Sequence, residues 1–188
     1  MNENSSFTQE IRQNKPVNSA SIELANLIFF DIETTGLRPD RGAEISEVSI
    51  INRNSHVFTW KKKTKSDVDV FSKHLPDTLK HLKNGVVVGH NLSFDFWFIS
   101  YEADRLGIAG PNIRFIDTLS LARKILPDRN SYQLNVLLKE FDIKVNGKLH
   151  TAITDTEATR ALFWKLIEKG GISTVGEARL KKLNWSSF

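Results

Sequence analysis

The sequence predicts an α/β domain with a central mixed sheet of about five strands, the first three antiparallel, flanked by helices. Short apolar runs rich in β-branched and aromatic residues crowd the first half, separated by tight turns, as in a meander. In the second half such runs alternate with segments whose leucines recur at helical spacing. The 188 residues, 40% hydrophobic and 26% charged, suit one ordinary globular domain with room for a full core.

Residues 1–23, rich in Asn, Ser and Gln, read as a polar extension, either a mobile leader or a peripheral helix. The domain proper is expected over residues 24–170, with a tail over 171–188. Leu27-Ile28-Phe29-Phe30 is continuously apolar, as in a strand covered on both faces. A turn rich in Gly, Pro and Asp follows, from Gly36 to Gly42. Glu44 to Ile51 is the second strand, and Asn52-Arg53-Asn54-Ser55 turns into a third, His56 to Trp60. Leu75, Leu79 and Leu82 set a helix from Ser72 to Lys83, with Pro76 in its first turn and Asn84-Gly85 at its end. Val86 to Gly89 is a short buried strand. Ser93 stands as N-cap of a helix from Phe94 to Leu106, closed by Gly107. Ile113 to Ile116 makes the fifth strand. A helix with Thr118, Leu121, Ala122 and Ile125 on one face stops at Pro127, and another spans Ser131 to Phe141. The last runs from Asp155 to Lys169 before Gly170-Gly171, with Thr154 and Glu157 spaced as a capping box.

Composition removes several classes of function. No window approaches the roughly 18 apolar residues of a membrane span, so no membrane role is expected. With no cysteine there is neither a disulfide nor a thiolate metal site, and a cytoplasmic location is the expectation. The net charge of +4 permits nucleic-acid binding without demanding it.

The chemistry begins at Asp31-Ile32-Glu33-Thr34-Thr35-Gly36, in the last turn of the first strand. Strand side chains alternate, so Asp31 and Glu33 share a face a few ångströms apart. Two like charges at the edge of a core repel unless a cation lies between them, and a divalent metal is the simplest reason to keep both. Gly89-His90-Asn91-Leu92-Ser93-Phe94-Asp95 places Asp95 in a first helical turn after a strand. His150, five residues before Asp155, precedes another helix start. An acid in a first turn is favoured by the helix dipole alone, so neither aspartate signals a site by itself.

Taken together, these segments resemble the DEDDh (DnaQ-like) 3′→5′ exonucleases, the family of the proofreading ε subunit of bacterial replicative polymerase and of RNase T. The resemblance runs from about Asn26 to Glu168. It rests on Asp31 to Leu37, on Gly89 to Asp95 and on His150-Thr151-Ala152-Ile153-Thr154-Asp155, in order and correctly spaced. Asp117-Thr118-Leu119 and Ser131-Tyr132-Gln133-Leu134 also fit the family pattern.

The resemblance implies a ribonuclease H-like fold and a metal-dependent exonuclease releasing nucleoside monophosphates from 3′ ends. Asp31, Glu33, Asp95 and Asp155 would hold two divalent cations, Mg²⁺ with Mn²⁺ as substitute, roughly 3.5–4 Å apart. His150 would be the general base, a task suited to imidazole. For substrate binding it implies the Thr34-Thr35-Gly36 turn, Leu37 as a wedge or a core residue, Asn91 at the sugar, and Phe94 as a stacking face or core residue. Asp117 reads as a helix cap. Glu44 and Glu47, three apart on one strand, face opposite sides, and both are set aside as ligands. Lys61-Lys62-Lys63 with Lys65 reads as a solvated loop or a backbone contact. The segment from Trp60 to Leu75 is shorter than in proofreading relatives and lacks their proline-led element. The expected partners are single-stranded 3′ ends, DNA before RNA, within a polymerase or repair complex. An RNA-trimming enzyme and a non-catalytic binding module are the alternatives. The complete set of acids speaks against the second.

Overall fold

The computed structural model describes residues 17–52, 56–63 and 70–187. Among these, six strands form one sheet: β1 (Leu27–Thr34), β2 (Ile45–Asn52), β3 (His56–Lys61), β4 (Val86–Gly89), β5 (Arg114–Asp117) and β6 (Lys181–Lys182). Their order is β3-β2-β1-β4-β5-β6. The first three are antiparallel neighbours, as expected. β4 and β5 run parallel to β1, joined to it by crossovers through helices. The sixth strand corrects the expected count of five. Lys181-Lys182 has no apolar run to betray it and pairs antiparallel to β5 through its backbone.

Among the described residues five α-helices cover the sheet: α1 (Leu75–Leu82), α2 (Leu92–Arg105), α3 (Thr118–Ile125), α4 (Leu134–Glu140) and α5 (Ala152–Gly170). The β1 pleat divides the core in two. Leu27 and Phe29 enter a cluster with Leu162, Phe163 and Leu166 of α5, where Phe29 meets Phe163 edge-on with ring centres 5.7 Å apart. Ile28 and Phe30 enter the opposite cluster with Leu75, Leu79, Phe96 and Phe98 of α1 and α2. Burying both faces of one strand under helices accounts for its unbroken apolar run. Asp31 and Glu33 continue the odd-numbered face, the one on which α5 packs.

Four helix starts differ from the expectation: α1 begins at Leu75 rather than Ser72, behind a separate 3-10 turn over Phe71–Lys73, and α4 begins at Leu134 rather than Ser131. α2 begins at Leu92 rather than Phe94, after Asn91 in the left-handed conformation (φ 65°), so Ser93 lies inside the helix and is not its cap. α5 begins at Ala152, with the Thr151 hydroxyl accepting from the Thr154 amide. Thr154 is therefore a capped residue and no capping box forms with Glu157. At the α2 and α5 starts the Asn91 amide is held by Asp117 and the Ala152 amide by Glu47, partners distant in sequence. Asp117 is the N-cap of α3, accepting from the Leu119 amide at 3.0 Å.

The reading of a leader falls largely on residues 1–16, outside the described residues, as do Arg53, Asn54, Ser55 and Lys65. Ala20, Ile22 and Ala25 are buried in the main core beside Val175 and Ala178. Their backbone pairs with residues 173–175, through Ile22 N–H to Ser173 O at 2.8 Å and Val175 N–H to Ala20 O at 3.0 Å. The described parts of both flanking segments thus pack onto the domain body. No helix among the described residues is long and apolar enough to cross a membrane.

Candidate active site

The site forms where three chain segments meet at the C-terminal end of β1. β1 outruns its parallel partner: pairing with β4 ends at Phe29 opposite Val88. The Ile32 amide beyond that point donates instead to Asp95 Oδ1 at 3.1 Å, which locks the first turn of α2 onto the strand. Gly89 makes the approach possible, since a Cβ there would stand 2.8 Å from the Phe30 carbonyl oxygen and 2.3 Å from Leu92. Asn91 is held by its own amide, which donates to Asp117 Oδ1 at 2.9 Å. His150, also left-handed (φ 69°), precedes α5, and its amide points at both carboxylate oxygens of Asp155, 3.3 Å from each.

These segments bring Asp31, Glu33, Asp95, Asp155 and His150 together. One ligand atom each from Glu33, His150 and Asp155 lie within 4.8 Å of one another. Electrostatics show how crowded the group is. Burial pushes the Asp31 carboxyl well above its ordinary range, and Asp95, Asp155, Glu33 and Glu47 push it further. Burial raises Asp95 to about 8, against the pull of its own and the Ile32 amide; Asp117 and Glu33 add to the rise. Glu33 is raised by burial, then by Asp155 and Glu47, with His150 and Lys61 opposing. Asp155 is raised by burial and relieved by the His150 amide and ring. Four carboxylates that all prefer a proton in this arrangement also prefer a cation. An all-oxygen set with one imidazole beside it fits hard divalent ions such as Mg²⁺ or Mn²⁺.

A cleft of about 400 Å³ opens on the group, lined by Asp31, Asp155, His90, Asn91, Arg123 and Tyr132 among others. A smaller hollow of about 290 Å³, sharing Gln133, Leu134 and Asp155, reaches His150. Leu37, in the turn after β1, is 78% exposed, which removes the core alternative for it. Phe94 is half-buried against Phe98, ring centres 5.1 Å apart, so one face is packed while part of the ring stays open. The Thr34 hydroxyl donates to Gly36 O at 2.6 Å, the Thr35 hydroxyl accepts from the Glu44 amide, and the Thr35 amide donates to Glu44 O. The turn is thereby rigid, with the Thr35 amide committed to the hairpin. At Gly36 a Cβ would press on Ala43 at 3.2 Å.

Three features escaped the sequence reading. His90 lines the cleft with Nδ1 2.9 Å from the Thr118 hydroxyl and Nε2 3.0 Å from the Tyr132 carbonyl, tying the second motif to α3 and to the segment before α4. Its ring is partnered, which fits a supporting role. Arg123 lies over the Tyr132 ring at 5.7 Å on the cleft wall. Glu47 stands opposite Glu33 in the β1–β2 ladder. Only the hairpin register could have revealed that, and a bulge at Glu33/Thr34 hides it from sequence counting. The Lys61-Lys62-Lys63 tract is also less free than a solvated loop: Lys61 pairs with Glu47 and Lys62 with Glu44.

An exonuclease family model, that of RNase T, matches residues 61–163. The chain is a member of the DEDDh exonuclease family. Its relatives include the PolC-type DNA polymerase III of Caldanaerobacter subterraneus subsp. tengcongensis, 34% identical over 84% of this chain and 13% of that protein. The PolC-type DNA polymerase III of Lacticaseibacillus paracasei is 30% identical over 92% of this chain, again 13% of the relative. The chain thus spans about one eighth of these relatives. Among solved structures, the nuclease domain of 3'hExo, a DEDDh family member bound to rAMP, aligns with a TM-score of 0.63 at 12% identity, over 79% of this chain and 94% of that one. Exonuclease X in complex with 5′-overhanging duplex DNA aligns at 0.55 with 21% identity, over 81% and 98%. These likenesses show the shared fold, the ribonuclease H-like one.

Proposed function

We propose that this DEDDh domain is a metal-dependent 3′→5′ exonuclease that releases nucleoside monophosphates from DNA 3′ ends, on single strands or frayed termini. The observation that carries the reading is the convergence of Asp31, Glu33, Asp95 and Asp155, each raised above the ordinary carboxylate range, beside His150. Asp31, Glu33, Asp95 and Asp155 would hold two divalent cations, which when bound supply an activated nucleophile and a clamp for the leaving oxygen. His150, at the rim, accepts the proton of the attacking water. Asp155 orients the His150 backbone through its amide. Leu37 and Phe94 bracket the terminal base, and Asn91 and the Thr34–Gly36 turn line its sugar side. The PolC-type relatives are DNA polymerases, which favours DNA and a polymerase setting; a repair setting and a cytoplasmic location belong to the same proposal. One solved neighbour carries rAMP, and trimming of RNA 3′ ends is therefore the second reading.

The test uses 5′-labelled DNA and RNA oligomers of matched sequence with Mg²⁺. A ladder shortening from the 3′ end, faster on DNA, and silenced by EDTA, is the expected result. Faster RNA trimming would transfer the proposal to the second reading, and cuts in a circular substrate would overturn the exonuclease mechanism.

A further inference from the structure

Glu47 is a fifth acid at this site, and its surroundings are organised. It sits directly across the ladder from Glu33 and its side chain is only 16% exposed. Oε1 takes the Lys61 ammonium at 2.5 Å, and Lys61 is the register partner of Glu47 on β3. Oε2 accepts from the Ala152 amide at 3.3 Å, and Ala152 is the first residue of α5. One carboxylate therefore joins the β3 edge, the β2 strand and the start of the helix that carries Asp155. A carboxylate is well placed at a helix N-terminus, where it meets unpaired amides. Glu47 nonetheless repels Asp31 and Glu33. Keeping an acid there costs stability, which Lys61 and the Ala152 amide partly offset.

We infer that Glu47, clamped by Lys61, is a positioning residue that fixes the start of α5, and so His150 and Asp155, at the height of Glu33. It is not a ligand: each of its oxygens already has a partner, and it stands outside the Glu33–His150–Asp155 group. Supporting groups of this kind change activity or metal affinity about 10–100-fold when removed. The kcat arm of the test rests on the exonuclease reading; the other two arms do not.

The experiment compares full-length wild type, Glu47→Ala, Glu47→Gln, Lys61→Ala and Glu33→Ala. It measures kcat and KM on a DNA oligomer, Mn²⁺ affinity by titration, and amide hydrogen exchange at residues 152–155. Glu47→Ala is expected to lower kcat about 10–100-fold with KM unchanged, and to speed exchange at Ala152. Glu47→Gln keeps an acceptor for that amide, so it recovers most of kcat and slow exchange. Lys61→Ala falls between them. Mn²⁺ binding weakens less in Glu47→Ala than in Glu33→Ala. Wild-type kcat and exchange in Glu47→Ala would overturn the inference, as would Mn²⁺ loss equal to that of Glu33→Ala. A Glu47→Gln variant as impaired as the alanine would also overturn it. Should Glu47→Ala fail to fold, Glu47→Gln and Lys61→Ala carry the decision through exchange and Mn²⁺ binding. A wild type inert on every nucleic acid would sink the proposed function while leaving those two readouts standing.

Discussion

Asp95 and Asp155 sit at the same place in their helices, each the fourth residue, and each follows a residue in the left-handed conformation. Their settings differ. Asp95 is 4% exposed and takes the open amide of Ile32, so it belongs to the sheet as much as to α2. Asp155 is half-buried and is tied to the His150 amide, within its own segment. One aspartate is part of the rigid frame. The other belongs to the segment that also carries His150, the proposed base. Asp95 is thus held by a bond to β1, whereas Asp155 takes its place from the packing of α5 on the sheet.

That contrast can be broken most severely by removing either acid. Asp95→Ala and Asp155→Ala should both leave no detectable turnover on a labelled oligomer, with circular dichroism showing the fold retained. Near-wild-type activity in either would remove that residue from the site. His150→Ala should retain more, losing on the order of 10²–10⁴ in kcat. A smaller loss would assign the base elsewhere.

Stability against pH sharpens the comparison. A carboxyl whose folded value is raised favours its neutral form in the native state. The stabilisation is full below the unfolded value near 4 and is lost as pH rises through the folded value, about 8 for Asp95. Metal-free protein should therefore melt at progressively lower temperature from about pH 4 to about pH 8. Mg²⁺ or Mn²⁺ should raise Tm most at the alkaline end, where the acids are ionised. Asp95→Asn keeps an acceptor for Ile32 but no charge, so without metal it should melt above wild type at pH 8 and match it at pH 4. Asp155→Asn should change Tm less. At this chain length each kcal/mol is worth about 2–4 °C, within reach of a melting scan. A flat profile for the metal-free wild type would contradict the crowding of these acids.

The caps give the smallest effects. Thr151→Ala removes one hydroxyl cap from α5 and should cost about 1 kcal/mol in denaturant melts. Asp117→Ala should cost more, because the same oxygen serves the Leu119 and Asn91 amides. Equal costs would mean that the bond to Asn91 adds nothing to the rigid half of the site.

Much of this was legible in the residues themselves. A continuous apolar run followed by Asp31 and Glu33 sets a two-sided strand and two acids on one face, because the pleat has a period of two. Apolar spacing located α1, α3 and α4, capping and glycine signals located α2 and α5, and the order of the acidic segments carried the DEDDh resemblance. Helix starts were less legible, since Ser93 and Thr154 have the side chains of caps, and only long-range anchoring decided that Asn91 and Thr151 hold those places. β6 was invisible because backbone pairing needs no particular side chain.

What the sequence determined alone was local: which acids exist, which share a strand face, and the order in which they come. What tertiary structure decided was their convergence and their company. Strand register placed Glu47 against Glu33, β1 outrunning β4 left an amide for Asp95, and packing of α5 brought Asp155 within reach of Asp31. Periodicity reports the direction of a side chain from its own backbone. Register and helix placement depend on residues more than a hundred positions away, as the 105 between Glu47 and Ala152 show.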